Sequence, residues 1–231
     1  MLFDINYSAL GWPKRDEVLN PSGSGPRLYA DLVEKKIKNP LRRADKSLQI
    51  ETGVLTADPS GKTSDAPLAI VCEFQKAPTT KTILELHRLA WNFCYSPLLI
   101  TFEPGLVRAW NCSEKPPDDS NVLLPPENLT LAEHQIGKGM ASLASQAAHT
   151  LQWVNLVTGD FLRRKEAEGR ITIEHRADRM LLDNLKFVRK RLVDELHLDS
   201  DVCHDLLARI IFVQFRANTE STVAQAKDVA V

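Results

Sequence analysis

The chemistry this sequence offers is concentrated at the end of one apolar run, Leu68 to Lys76 (LAIVCEFQK), where Glu73, Gln75 and Lys76 follow one another closely. The run is almost continuous in apolar residues, the pattern of a strand covered on both faces. A carboxylate inside such a strand costs on the order of several kcal/mol unless it is paired or binds a metal. Residues two apart on a strand share a face, so Glu73 and Gln75 point one way and Phe74 and Lys76 the other. Metal-dependent phosphodiester cleavage needs oxygen ligands for Mg²⁺ and a group that positions the attacking water. A strand acid, an Asp earlier in the chain and an amide or amine just beyond form one compact way to supply them. The plainer expectation is an acid at an exposed strand end, paired with Lys76, Lys81 or Arg108.

The elements around this strand can be read from spacing. Residues 1–26 are irregular, with a loop at Asn20–Pro26 (NPSGSGP). Arg27 to Lys38 is a helix by its apolar repeat, ended by Pro40. Leu48 to Ala57 alternates as a strand, and Asp58-Pro-Ser-Gly61 is a turn. After the Glu73 strand come a helix over Thr79–Cys94, a second central strand over Leu98–Phe102, and a hairpin partner over Leu106–Asn111 reached through Glu103-Pro-Gly105. A strand–helix–strand unit of this kind makes a parallel crossover. Residues 27–113 are therefore expected as an α/β domain, a small mixed sheet flanked by helices. A Pro-rich linker spans 114–129, a helical region spans 130–216, and the tail 217–231 frays. The helical region opens on a Thr130–Glu133 capping box, is broken at Gly169, and continues in helices over 175–196 and from Ser200.

The order of helix, turn-bounded strand, E-x-Q strand, helix and strand resembles the restriction-endonuclease-like PD-(D/E)XK nuclease fold. LELHRLAWN with PLLITF, and the late helix DLLARIIFVQF, look like the N-terminal region of type IIG-like restriction–modification proteins that carry an N6-adenine methylase domain. The resemblance implies a DNA-directed module of a restriction–modification or phage-defence protein, with Mg²⁺ as cofactor and DNA and a methylase domain or subunit as partners. Under it, Glu73 and Asp65 (with Asp58 the weaker choice) hold the metal, Glu34 is an accessory ligand, and Gln75 or Lys76 orients water. Gln75 stands where that family most often has Lys, and a β-bulge would be needed to bring Lys76 onto the Glu73 face. A degenerate module that binds DNA or a methylase without cutting, and a non-enzymatic interaction scaffold, are the alternatives.

Other polar groups have both a functional and a plain reading. His87-Arg88 on the following helix offers a phosphate contact or a solvated helix face. Arg163-Arg164-Lys165 and Arg189-Lys190-Arg191 could track a DNA backbone, but interleaved acids suit a salt-laced surface. His197, Asp199, Asp201, Cys203 and His204 crowd a helix start, where Asp199 and Ser200 serve as caps. Leu124-Pro-Pro-Glu127 lacks the polar and aromatic ends of an adenine-methylase motif, and no Gly-rich loop follows a strand, so methylation is excluded for this chain alone.

Lys plus Arg (29) nearly balances Asp plus Glu (30) over 231 residues, so no global basic field announces a nucleic acid. The N-terminus lacks the basic and apolar regions of a signal peptide, and no apolar run reaches the roughly 18 residues of a membrane span. The four cysteines, Cys72, Cys94, Cys112 and Cys203, have no CxxC spacing and read as reduced thiols of a cytoplasmic protein.

Overall fold

The computed structural model describes residues 2–64, 66–93, 95–118, 122–137, 140–172 and 177–211. Two compact units divide the chain at residue 177.

The first unit is built on a five-stranded mixed sheet in sequential order: β1 (Ile50–Thr56), β2 (Pro67–Phe74), β3 (Leu98–Glu103), β4 (Leu106–Asn111) and β5 (Thr130–Gln135). β2 and β3 are parallel, joined by helix α5 (Thr80–Phe93), and every other pairing is antiparallel. Alternation along the strands divides the core in two. Ala69, Val71, Leu98, Ile100 and Phe102 face one helical layer, and Ile70, Cys72, Phe74, Leu99 and Trp110 face the other. The α/β class with helices on a small mixed sheet is thus the architecture found.

The segment 1–26 is not irregular. It forms α1 (Leu2–Ala9), α2 (Arg15–Leu19) and the start of α3 (Ser24–Val33). Phe3 and Tyr7 of α1, with Leu10 just after its end, are spaced by four and three residues and bury one stripe against the sheet. Trp12 anchors the turn after it by donating its indole N–H to the Leu151 carbonyl at 2.8 Å. Gly53 then lets α2 lie directly on β1, because a Cβ there would sit 2.4 Å from the Val18 carbonyl oxygen.

Pro40 does not end the next helix. α3 passes through a wide π-turn at Glu34–Lys38 into α4 (Asn39–Ala44). The proline ring would otherwise press on the carbonyl four residues back, and the widened turn just before it makes room. Val33, Ile37 and Leu41 keep one buried line through the change.

The expected helical region also begins later. Thr130–Gln135 is a strand, not a capped helix: it pairs antiparallel with β4 and satisfies through the ladder the backbone donors a capping box would have served. The sheet therefore continues past the Pro-rich segment. Short helices α6 (Met140–Gln146), α7 (Trp153–Val157) and α8 (Asp160–Ala167) follow it.

In the second unit, α9 (Ala177–Asp194) and a helix over 200–211, α10, match the expected positions. Asp199 caps α10 by accepting from the Asp201 backbone N–H at 2.8 Å. Val213, Phe215 and the tail lie outside the described residues. Among the described residues no helix is long and apolar enough to cross a membrane.

Candidate functional site

Glu73 sits at the end of β2 with 0% exposure. Its alternation places it on the α1/α2 side of the sheet, in register with Phe102 of β3. The partner that makes burial tolerable is Arg15, from the first turn of α2. The guanidinium Nε donates to both carboxylate oxygens at 3.0 and 2.9 Å, and an Nη donates to Oε2 at 2.6 Å. Charge-assisted contacts of this forked kind are the strong ones. Their hydrogen bonds in turn hold the Arg15 pKa above the ordinary guanidinium range. The expected partners Lys76, Lys81 and Arg108 are not used.

Aromatic rings wall the pair. Tyr7 stacks on Phe102 at 5.3 Å, Trp12 meets Phe102 edge-on at 5.6 Å, and the Arg15 guanidinium lies 5.9 Å from the Phe3 ring centre. The Tyr7 hydroxyl is buried beside the Glu73 carboxylate, and burial, followed by the Glu73 charge, pushes its pKa well above the usual phenol range. Next to this cluster is a cavity of about 360 Å³ lined by Asp4, Tyr7, Trp12 and Arg15. Glu73 does not line it, so a ligand there would meet the guanidinium and not the carboxylate.

The remaining expected site residues are dispersed. β2 stops at Phe74, and Gln75 and Lys76 are exposed in the bend after it. Glu34 is exposed on the π-turn, whose buried residue Ile37 packs on the face of the sheet opposite Glu73. Asp65 lies outside the described residues. Asp58 is committed to its own turn, accepting from the backbone N–H groups of Ser60, Lys62 and Thr63, each at 2.9 Å, and its carboxyl is held below the usual carboxylate range, first by the Ser60 hydroxyl. Glu103, at the end of the neighbouring parallel strand, is the second buried acid of the sheet. It falls on the opposite face from Glu73, where Arg108 bridges it to Glu133, and burial raises its pKa. No carboxylate pair forms across β2 and β3.

His87 is buried rather than poised for a phosphate. Its Nε2 meets the Asn111 carbonyl at 2.8 Å, and burial lowers its pKa to about 4. Arg88 is exposed and forked onto Glu85. Arg189 donates to His204 at 2.7 Å and to Ser200 at 2.8 Å, while Lys190 is exposed on α9.

Comparison with protein-family models, curated proteins and solved structures found no match. Function is therefore read from the residues and their geometry. Among the described residues, no three His, Cys, Asp or Glu side chains converge to hold a metal ion. At Glu73 the donor set does not fit one, because the positive charge beside both oxygens is already a guanidinium. Sequence reasoning missed Arg15, which is 58 positions upstream in a stretch read as irregular. The available signal was the Phe3/Tyr7/Leu10 spacing, which predicts α1 and so brings the following Pro-Lys-Arg segment onto the sheet.

Proposed function

We propose that this chain is a DNA-directed module of nuclease-like architecture that binds without cleaving, the degenerate form of a restriction–modification or phage-defence component. The observation that carries the reading is the closed Arg15–Glu73 pair. The strand acid that would ligate Mg²⁺ gives both oxygens to an internal cation, and Gln75 and Lys76 stand in solvent beyond the strand. Resemblance to the N-terminal region of restriction–modification proteins supports the DNA-directed part. The test is supercoiled plasmid incubated with Mg²⁺ or Mn²⁺ and wild type or Glu73→Ala protein, together with duplex binding at low salt. Unaltered plasmid in both samples with measurable binding is expected. Nicking by wild type that Glu73→Ala abolishes would overturn the silent reading.

A second reading, a protein-interaction scaffold, is favoured by the apolar side chains that α9 and α10 leave exposed. They include Leu181, Phe187, Val202 and Ile210, with Phe187 62% accessible. An apolar surface of that extent marks a docking face, and a methylase domain or subunit is the occupant the resemblance implies.

A further inference from the structure

The helix that runs through the π-turn carries charge as regularly on its outer side as it carries apolar residues on its inner side. Residues 34–46 contain six basic residues and two acidic ones. Lys38 is spent on Glu51 at 2.6 Å. Lys35, Lys36, Arg42, Arg43 and Lys46 are exposed, and none has an ion-pair partner among the described residues. The two basic doublets are seven residues apart on the continuous helix that runs through the π-turn, and all four side chains are exposed. Across a groove of about 370 Å³, which Ala44 of α4 and Leu84 of α5 both line, α5 contributes Lys81, also exposed and unpaired among the described residues. The acids lining that groove, Glu85 and Asp118, are occupied by Arg88 and Lys115.

Six basic against two acidic residues on thirteen positions, in a chain whose formal net charge is −1, form a local field and not a general one. We infer that the outer face of the 34–46 segment, helical as far as Ala44, with Lys81 across the groove, is a binding surface for the phosphate backbone of duplex DNA. This rests on the DNA-directed reading above and names its contact surface. A membrane-surface helix would present Trp, Phe or Leu beside its charges. On the 34–46 segment itself the large apolar residues, Ile37 and Leu41, are buried against the sheet, and none is left exposed beside the two basic doublets. The side chains offered are Lys and Arg on an outer helix face, the groups that contact phosphate oxygens, so the contact inferred is with the backbone and independent of sequence. A duplex offers one negative charge per roughly 1.7 Å of axis, enough to meet both doublets at once.

The test is fluorescence anisotropy of a labelled 20-base-pair duplex between 50 and 200 mM salt. The proteins are wild type, the quadruple variant Lys35→Ala/Lys36→Ala/Arg42→Ala/Arg43→Ala, and the single variant Arg42→Ala, with circular dichroism to verify folding. Each lost phosphate contact removes about 0.9 from the slope of log affinity against log salt. The quadruple variant should therefore lose about 3.6 in slope, so that across this fourfold salt range wild-type affinity falls about 150-fold more than the variant's. Arg42→Ala should lose about 0.9, and supplies the answer if the quadruple variant does not fold. Wild-type binding with an unchanged slope in the folded variants overturns the surface and leaves the DNA-directed reading standing. Absence of wild-type binding at 50 mM salt overturns both. Preference of the wild type for vesicles of anionic phospholipid over the duplex overturns the assignment of the partner.

Discussion

Replacing Arg15 by Ala should strip Glu73 of its only counter-charge among the described residues while leaving the carboxylate in an aromatic wall. Removing one partner of a buried pair costs about 3–5 kcal/mol, because the other charge stays desolvated. The Arg15 side chain retains 26% exposure, so water can follow the truncation inward. That favours the lower end of the range, about 3 kcal/mol. For a chain of this size, one kcal/mol moves Tm by about 2–4 °C, which makes the expected loss about 6–12 °C. Glu73→Gln keeps the volume and removes the charge, leaving a guanidinium that can hydrate, and should cost only about 1–2 kcal/mol. Joining the two changes, Arg15→Ala with Glu73→Gln, should recover much of the Arg15 penalty, since no isolated ion remains. Urea unfolding followed by tryptophan fluorescence reads the right unit, because Trp12, Trp91, Trp110 and Trp153 all belong to the first one. A loss below about 0.5 kcal/mol for Arg15→Ala, or strict additivity in the double variant, would refute the reasoning, since contacting pairs are expected to couple.

His87 makes stability depend on pH. Its folded pKa of about 4 lies below the ordinary 6.5, so the unfolded chain binds the proton more readily below pH 6.5, and stability should fall as pH drops from 6.5 towards 4. The full effect is up to about 3 kcal/mol; Tm measured against pH should show it, and His87→Gln should flatten the profile in that window. Gly53→Ala places a methyl group 2.4 Å from the Val18 carbonyl oxygen and 2.8 Å from the Leu19 Cα. Backbone must move, so a destabilisation of about 1–3 kcal/mol is expected, visible as a lower urea midpoint.

Where pattern and burial coincide, the elements were legible from residues. The apolar runs 68–74 and 98–102 became the central parallel strands, and the helical repeat of 79–94 became α5, because each element buries what its own period selects. Misreadings came where a nonlocal partner decided. Thr130-x-x-Glu133 has the residues of a helix cap, but β4 offered an unpaired edge and the segment took the ladder. Pro40 is a helix stop by local rules. The π-turn and the buried line Val33, Ile37 and Leu41 carry the helix past it, since core contacts outweigh a local penalty.

The candidate site divides along the same line. That Glu73 would be buried, and would demand a counter-charge, follows from an acid set in an uninterrupted apolar strand. Which cation answers it does not follow, because the cost of desolvation names no partner. Only the packing of α1 and α2 onto the sheet, admitted by the missing side chain at Gly53 and pinned by Trp12, brings Arg15 across 58 residues to Glu73. Strand parity likewise makes Glu73 and Glu103 strangers, although they end adjacent strands. The type and placing of the acid are written in the chain, and its neutralisation belongs to the tertiary structure, where charges meet only if the backbone between them has folded.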